Sequence, residues 1–265
     1  MVYAVHLAAT IGVRRTLVKE GADTVEDARG RTGMTRQEAT HTQRIPLNRD
    51  RVLRAAVALA DTTGIDALSM RRLAQELDVV PMALYKHVAN KEELLDGMAD
   101  AVVGEIDPPA SGPDWQRVVR GRILSARRVL LRHPWAPRVI ESRTAPTPAV
   151  LAYLDSMAGS FRDGGLSADL THHVMHAMGS RLLGFSQELF DTSGPSGPPD
   201  PGLAARYPHI AELAATAAHD EDSTVGGGCD DQFEFEFALD LLLDGFEGLR
   251  RQGWTSARAK ANRRP

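Results

Sequence analysis

The stretch "PMALYKHVANK", residues 81–91, gathers the side chains best suited to chemistry in this chain. Tyr85, Lys86 and His87 put a phenol, an ammonium and an imidazole on successive residues, and Lys91 follows at the start of a predicted helix. All four can donate hydrogen bonds to phosphate oxygens. Helix starts also leave N–H groups free, so Lys91 and the backbone around it form a second anion-binding position. Just upstream, Pro81, Met82 and Ala83 are short or apolar. They suit contact with thymine methyl groups and carry no fork for a guanine. Arg71, ten residues before Pro81, is the best candidate for a bidentate guanine contact. Taken singly, Tyr85 also fits ordinary core packing, and the Lys and Arg fit solvated surface. Their order and spacing as a set favour a nucleic-acid backbone.

The elements that must hold these residues are legible from period and capping. Val52, Ala56, Leu59 and Ala60 recur on one face of a helix beginning near Asn48, and Gly64 is placed to end it. Ser69 is the expected N-cap of a second helix whose inward residues are Met70, Leu73, Ala74 and Leu77. Asp78-Val79 make a short turn, and Pro81 suits the first position of a third helix expected to run to Val88. Asn90-x-x-Glu93 is a capping box for a fourth helix with Leu94, Leu95 and Met98 inside. A helix, a tight turn and a second helix that enters the major groove form a common DNA-reading unit.

Composition limits the alternatives. The chain has 265 residues, 43% hydrophobic and 25% charged, enough for a real core in one large or two small domains. No apolar run approaches the roughly 18–20 residues that a membrane span needs. No signal-peptide pattern is visible, and the one cysteine, Cys229, cannot form an internal disulfide. A cytoplasmic protein is expected. Net charge is −4, but it is unevenly spread. Residues 44–91 carry eight Lys/Arg against five acids, residues 207–249 carry eleven acids and no Lys or Arg, and residues 250–265 carry six basic residues and no acid.

Four segments follow. Residues 1–44 are read as a flexible N-terminal extension; "VHLAATIGVRRTLVKEGADTVEDARGRT" loosely resembles one ankyrin repeat, and a single repeat cannot bury its own face. Met34 is an alternative start. Residues 45–108 are expected to be the helix-turn-helix DNA-binding domain, closed by Pro108-Pro109. Residues 109–252 should form a second helical domain, with stretches near 114–132, 147–163, 167–190, 203–218 and 230–252. Residues 253–265 are expected to be a basic disordered tail. No stretch alternates with period 2, so the fold class is all-α.

The 54 residues "LNRDRVLRAAVALADTTGIDALSMRRLAQELDVVPMALYKHVANKEELLDGMAD" resemble the DNA-binding domain of TetR-family transcriptional regulators. "LYKHV" points to the tetracycline-repressor branch. The resemblance implies a ligand-responsive transcriptional regulator, a helical homodimer on a palindromic double-stranded DNA operator, released by a small-molecule effector bound in the C-terminal domain. Carried over by position, Arg71, Pro81, Met82 and Ala83 would read bases. Ser69, Tyr85, Lys86, His87 and Lys91 would hold phosphates. The chain departs from the family at Asp78, where the turn usually has Gly. More faintly, 167–190 and 230–252 match the helices that pair subunits in that branch. One face of each, Met175, Met178, Gly179 and Leu182, and Phe233, Phe237, Leu241 and Phe246, is apolar enough for the purpose.

Where the tetracycline-binding repressors carry an amide, a phenylalanine and a metal-binding histidine, this chain has Arg122, Ala126 and Ile140. Magnesium–tetracycline is therefore not expected, although Glu188 falls near a matching acidic position. Candidate effector contacts are Trp115, Arg122, Trp135, Ile140, Met157, His172 and His176, a mostly apolar set with few polar anchors. His172 and His176 are spaced to chelate a metal on one helix face, but no cysteine or HExxH glutamate joins them, and no metal or cofactor is expected. A His172–Asp169 pair is the best enzymatic alternative. Nucleophile-elbow, phosphate-loop and dinucleotide motifs are missing, so no catalytic residue is assigned. The alternative reading is a dimeric helical small-molecule-binding protein, or an enzyme, with no DNA role.

Overall fold

A computed structural model of the chain describes residues 46–184, 202–209, 212 and 231–262. The ankyrin-like stretch, Cys229 and Glu188 lie outside the described residues. Every regular element among the described residues is helical: α1 (Arg49–Thr63), α2 (Met70–Glu76), α3 (Pro81–Leu84), α4 (Lys91–Val103), α5 (Trp115–Arg132), α6 (Ala136–Glu141), α7 (Pro148–Asp163), α8 (Ala168–Gly184), α9 (Leu203–Arg206), α10 (Asp231–Arg251) and α11 (Ser256–Ala261). No described helix is long and apolar enough to cross a membrane.

Local signals set the helix starts. The side chains of Asn48, Ser69, Asn90 and Asp114 accept the N–H groups of Arg51, Arg72, Glu93 and Arg117, so each cap satisfies a donor the helix cannot. The capping box closes with Glu93 Oε2 accepting from the Ala89 N–H at 2.7 Å, one residue earlier than the usual partner. Gly64 ends α1 at φ 78°, and Asp78 holds φ 52° in the turn between α2 and α3. Aspartate is among the few non-glycine residues that tolerate that region.

The chain buries two cores. The first joins α1–α4 through Val52, Ala56, Leu73, Leu84, Val88, Leu94 and Met98, among others. Burying each of the larger side chains among these contributes about 1.5–3 kcal/mol. The Leu53 side chain of α1 lies so close over Gly97 of α4 that a Cβ there would be 2.6 Å from Leu53 Cδ2. This core does not stop at Pro108. Val129, Leu130, Trp135, Ala136 and Val139 complete it, so the C-terminal end of α5 and the start of α6 belong to both halves of the molecule. The second core joins α5, α7, α8 and α10 through Val119, Ile123, Phe161, Leu170, Val174, Phe235, Leu239 and Leu243.

Three expectations need correction. The third helix is not a run to Val88. α3 ends at Leu84, and the backbone turns so that Leu84 O accepts from both His87 N–H and Val88 N–H. Two members of the expected bundle faces belong to the core instead: Phe246 and Met178 are buried in the second core, while Phe233, Phe237, Leu241 and Gly179 are exposed as such faces require. Within the stretch expected as a free tail, α11 forms under a Thr255 cap, and its Ser256 N–H donates to Asp169 Oδ2 at 2.6 Å.

Candidate nucleic-acid interface and effector region

α2 and α3 pack against each other, and their outward residues stay in solvent. Arg71 is exposed on the first turn of α2, beside Ser69, whose Oγ accepts the Arg72 N–H at 3.2 Å. Leu84 is fully buried and pins α3 to the core, so what α3 turns outward is Pro81 and Met82, the latter 71% exposed. Ala83 and His87 are half-buried. Tyr85 is 43% exposed, and Lys86 and Lys91 are exposed. Lys91 is the first residue of α4, directly after the Asn90 cap. The sequence reading missed Val80, which is 68% exposed immediately before α3. Its neighbour in the Val-Val pair, Val79, is the one packed on the core, and nothing in the local sequence tells the two apart. Large apolar side chains this open at the tip of a helix-turn-helix are suited to a partner surface.

The seven effector candidates do not come together. Trp135 is buried in the first core with Ile140 packed against it, and the Trp135 indole N–H donates to Asp61 Oδ1 at 2.7 Å. Trp115 and Met157 are buried in the second core, where the Trp115 and Phe161 rings lie 5.7 Å apart. Trp115 Nε1 donates to Glu247 Oε2 at 3.3 Å. Hydrogen bonds from Arg250, then Arg251 and Trp115, hold the Glu247 carboxyl down at about 2 against the opposing effect of burial. His172 and His176 are exposed with ring centroids 4.7 Å apart. Among the described residues no group of three or more His, Cys, Asp or Glu is arranged to hold a metal.

Arg122 lies elsewhere again, between α5 and α7. Its Nη1 donates to Asp107 O at 2.6 Å, and its guanidinium sits 5.1 Å over the Tyr153 ring. Its Nε is buried without a hydrogen-bond partner. Burial pushes the Tyr153 phenol up to about 12, with Arg122 opposing. Tyr153 was not singled out from the sequence; its signal is a lone aromatic polar residue among the small residues of α7. A surface cleft of about 440 Å³ beside residues 109–113 has Trp115 in its wall and no other member of the candidate set.

A capped helix-turn-helix with exposed apolar and cationic tips, carried on a larger helical domain, defines a DNA-binding regulator. Comparison with known proteins agrees. Residues 52–98 match the family described as bacterial regulatory proteins, tetR family, and residues 108–250 match the tetracyclin repressor-like C-terminal domain. The chain belongs to the TetR family of transcriptional regulators, which are DNA-binding proteins and not enzymes. It is similar to an HTH-type transcriptional regulator of Saccharopolyspora erythraea, 38% identical over 135 residues, which are 51% of this chain and 57% of that protein. It is also similar to the HTH-type transcriptional repressor DrrR1 of Streptomyces coeruleorubidus, 31% identical over 226 residues, covering 78% of this chain and 79% of that protein. Among solved structures it resembles the Streptomyces coelicolor TetR-family protein ActR in complex with (S)-DNPA, with TM-score 0.58 and 28% identity over 76% of this chain and 98% of that one. Regulators of this family act on DNA operators as homodimers under small-molecule control, and this chain is one of them.

Proposed function

We propose that the chain is a cytoplasmic repressor that grips a palindromic operator with one α3 of each subunit in adjacent major grooves. The observation that carries this reading is the exposed tip of Val80, Pro81 and Met82 between a free Arg71 and the donors Tyr85, Lys86 and Lys91. In the proposal Arg71, Pro81, Met82 and Ala83, joined by Val80, read base edges. Ser69, Tyr85, Lys86, His87 and Lys91 hold phosphates. Two such readers fit one face of the duplex when they stand about 34–36 Å apart.

The effector is proposed to enter the C-terminal domain and to favour the released form. Coupling of about 1–3 kcal/mol is typical for such switches. Of the seven candidates the proposal keeps Trp115, Arg122 and Met157, and adds Tyr153. The buried, unpartnered Nε of Arg122 is what a ligand acceptor would satisfy. Trp135 and Ile140 are better placed to join the two halves than to meet a ligand. Binding to duplexes from the protein's own upstream region, measured by fluorescence anisotropy over a salt series, tests the reading. Lys91→Ala should weaken binding to every sequence and lower the salt slope by about one. Equal binding by the variant at all salt concentrations would remove Lys91 from the interface, and indifference of the parent to any duplex would favour the carrier alternative.

A further inference from the structure

One short segment of the C-terminal part, residues 132–143, holds the helix-turn-helix unit at several points. Asp61, in the last turn of α1, meets two side chains through the same oxygen. His133 Nδ1 lies 2.8 Å from its Oδ1, and the Trp135 indole N–H donates to it at 2.7 Å. The other ring nitrogen of His133 lies 3.3 Å from Glu105 Oε2, just beyond α4, and Glu105 also accepts from Arg132 at 2.6 Å. Arg138 makes two 3.0 Å bonds to Asp66. Arg143 reaches Glu92 at 2.7 Å and Asp96 at 3.2 Å, near the start of α4.

These attachments are not equal. The Arg138–Asp66 pair is 71% and 78% exposed, and ion pairs that open contribute little. The Asp61 contact is more sheltered: the side chains of His133 and Asp61 are 9% and 28% exposed, and Trp135 is buried in the first core. An indole N–H there would be costly to leave unpaired, so Trp135 needs Asp61 as much as Asp61 needs it. Position matters too. The polar contacts to α4 and the apolar contacts of the first core leave rotation about α4 as the softest motion of the unit. A fixed point on α1, away from the α4 contacts, opposes that rotation.

We infer that Asp61 is a positioning residue: by holding His133 and Trp135 at the α5–α6 corner, it sets the angle at which each subunit presents its helix-turn-helix unit, and so the spacing of the two readers in the dimer. Its consequence for operators rests on the DNA reading above, while the positioning itself does not. The test therefore begins without DNA. A spin label on exposed Glu76 of α2, introduced as Glu76→Cys in a Cys229→Ser background, reports the distance between the two copies by pulsed electron paramagnetic resonance. The parent is expected to give one narrow distance and Asp61→Ala a broadened or shifted distribution. Asp66→Ala should match the parent, because its pair is exposed. If thermal melting shows that Asp61→Ala does not fold, Trp135→Phe keeps the buried ring, removes one donor and should broaden the distribution less. A parental distribution from the folded Asp61→Ala dimer, or from Trp135→Phe should the alanine variant not fold, overturns the inference.

The second arm uses an operator selected from random duplexes and lengthened or shortened between its half-sites. The parent should lose about tenfold in affinity per base pair of altered spacing, which corresponds to about 1.4 kcal/mol, and Asp61→Ala should lose clearly less. Unchanged spacing discrimination in the variant overturns the link from angle to operator. Broadened distances in a protein that binds no duplex would support the positioning role and sink the DNA reading alone.

Discussion

The two cores of this chain are tied together by different forces. Around α1–α4, caps one turn long and aliphatic side chains dominate, and the buried list runs through Val52, Leu73, Leu84, Leu94 and Met98. Between α5 and α10 the apolar contact is flanked by a ladder of polar pairs. Trp115 meets Glu247, Gln116 meets Asp244, Arg120 meets Asp240 and Glu236, and Arg127 meets Gln232 while lying 4.4 Å over the Phe235 ring. Partner numbers fall as the α5 numbers rise, so the two helices run antiparallel. The reading half is built to keep one shape under changing solvent. The effector half adds to its apolar core a seam of charges, which answer to pH and salt.

Four measurements break or sharpen that contrast. Leu84→Ala empties the point that pins α3, and should cost about 2–5 kcal/mol of stability with loss of DNA binding, read by thermal melting and anisotropy. Arg71→Ala should leave the melt unchanged and cost about 1–3 kcal/mol on the cognate operator only, relaxing sequence choice. Glu247→Gln strips the charge from the α5–α10 ladder and should cost about 1–2 kcal/mol near neutral pH. The Glu247 carboxyl is held at about 2 in the fold, below its ordinary 4.5. Its stabilisation is therefore complete above about pH 4.5 and is lost as pH falls toward 2, a limb of the acid-unfolding curve that the Gln variant should lack. Asn90→Ala, a local cap in the reading half, should cost about 1 kcal/mol with no such pH signature. An acid limb that survives in Glu247→Gln would place the pH-sensitive contacts elsewhere.

What the sequence made legible follows the same divide. Asn48, Ser69, Asn90 and Gly64 act within one turn of where they stand, so the starts of α1, α2 and α4 and the end of α1 could be read directly. Asp78 kept the turn as its tolerance of positive φ implied. The early end of α3 was not legible, because Leu84 and Val88 are both drawn into a core made by other helices. On α10 the outward face was legible at Phe233, Phe237 and Leu241, but Phe246 turned out to pack inward. Phe233, Phe235 and Phe237 alternate, and only packing against α5 and α8 selects Phe235 as the buried one. The Asp61 contacts join residues more than 70 positions apart, and nothing local marks them. The scattering of the effector candidates has the same origin: helical spacing located apolar residues but could not tell which of the two cores each would enter.

The brevity of α3 has one further consequence. Four residues cannot sustain a helix unaided, and its shape is borrowed from the buried Leu84 and from Val88 just beyond it. The outward Val80 and Met82 are thereby relieved of packing duty, while Pro81 still starts the helix. On the proposed reading, exchanging Val80 or Met82 would alter the target site while leaving the scaffold intact.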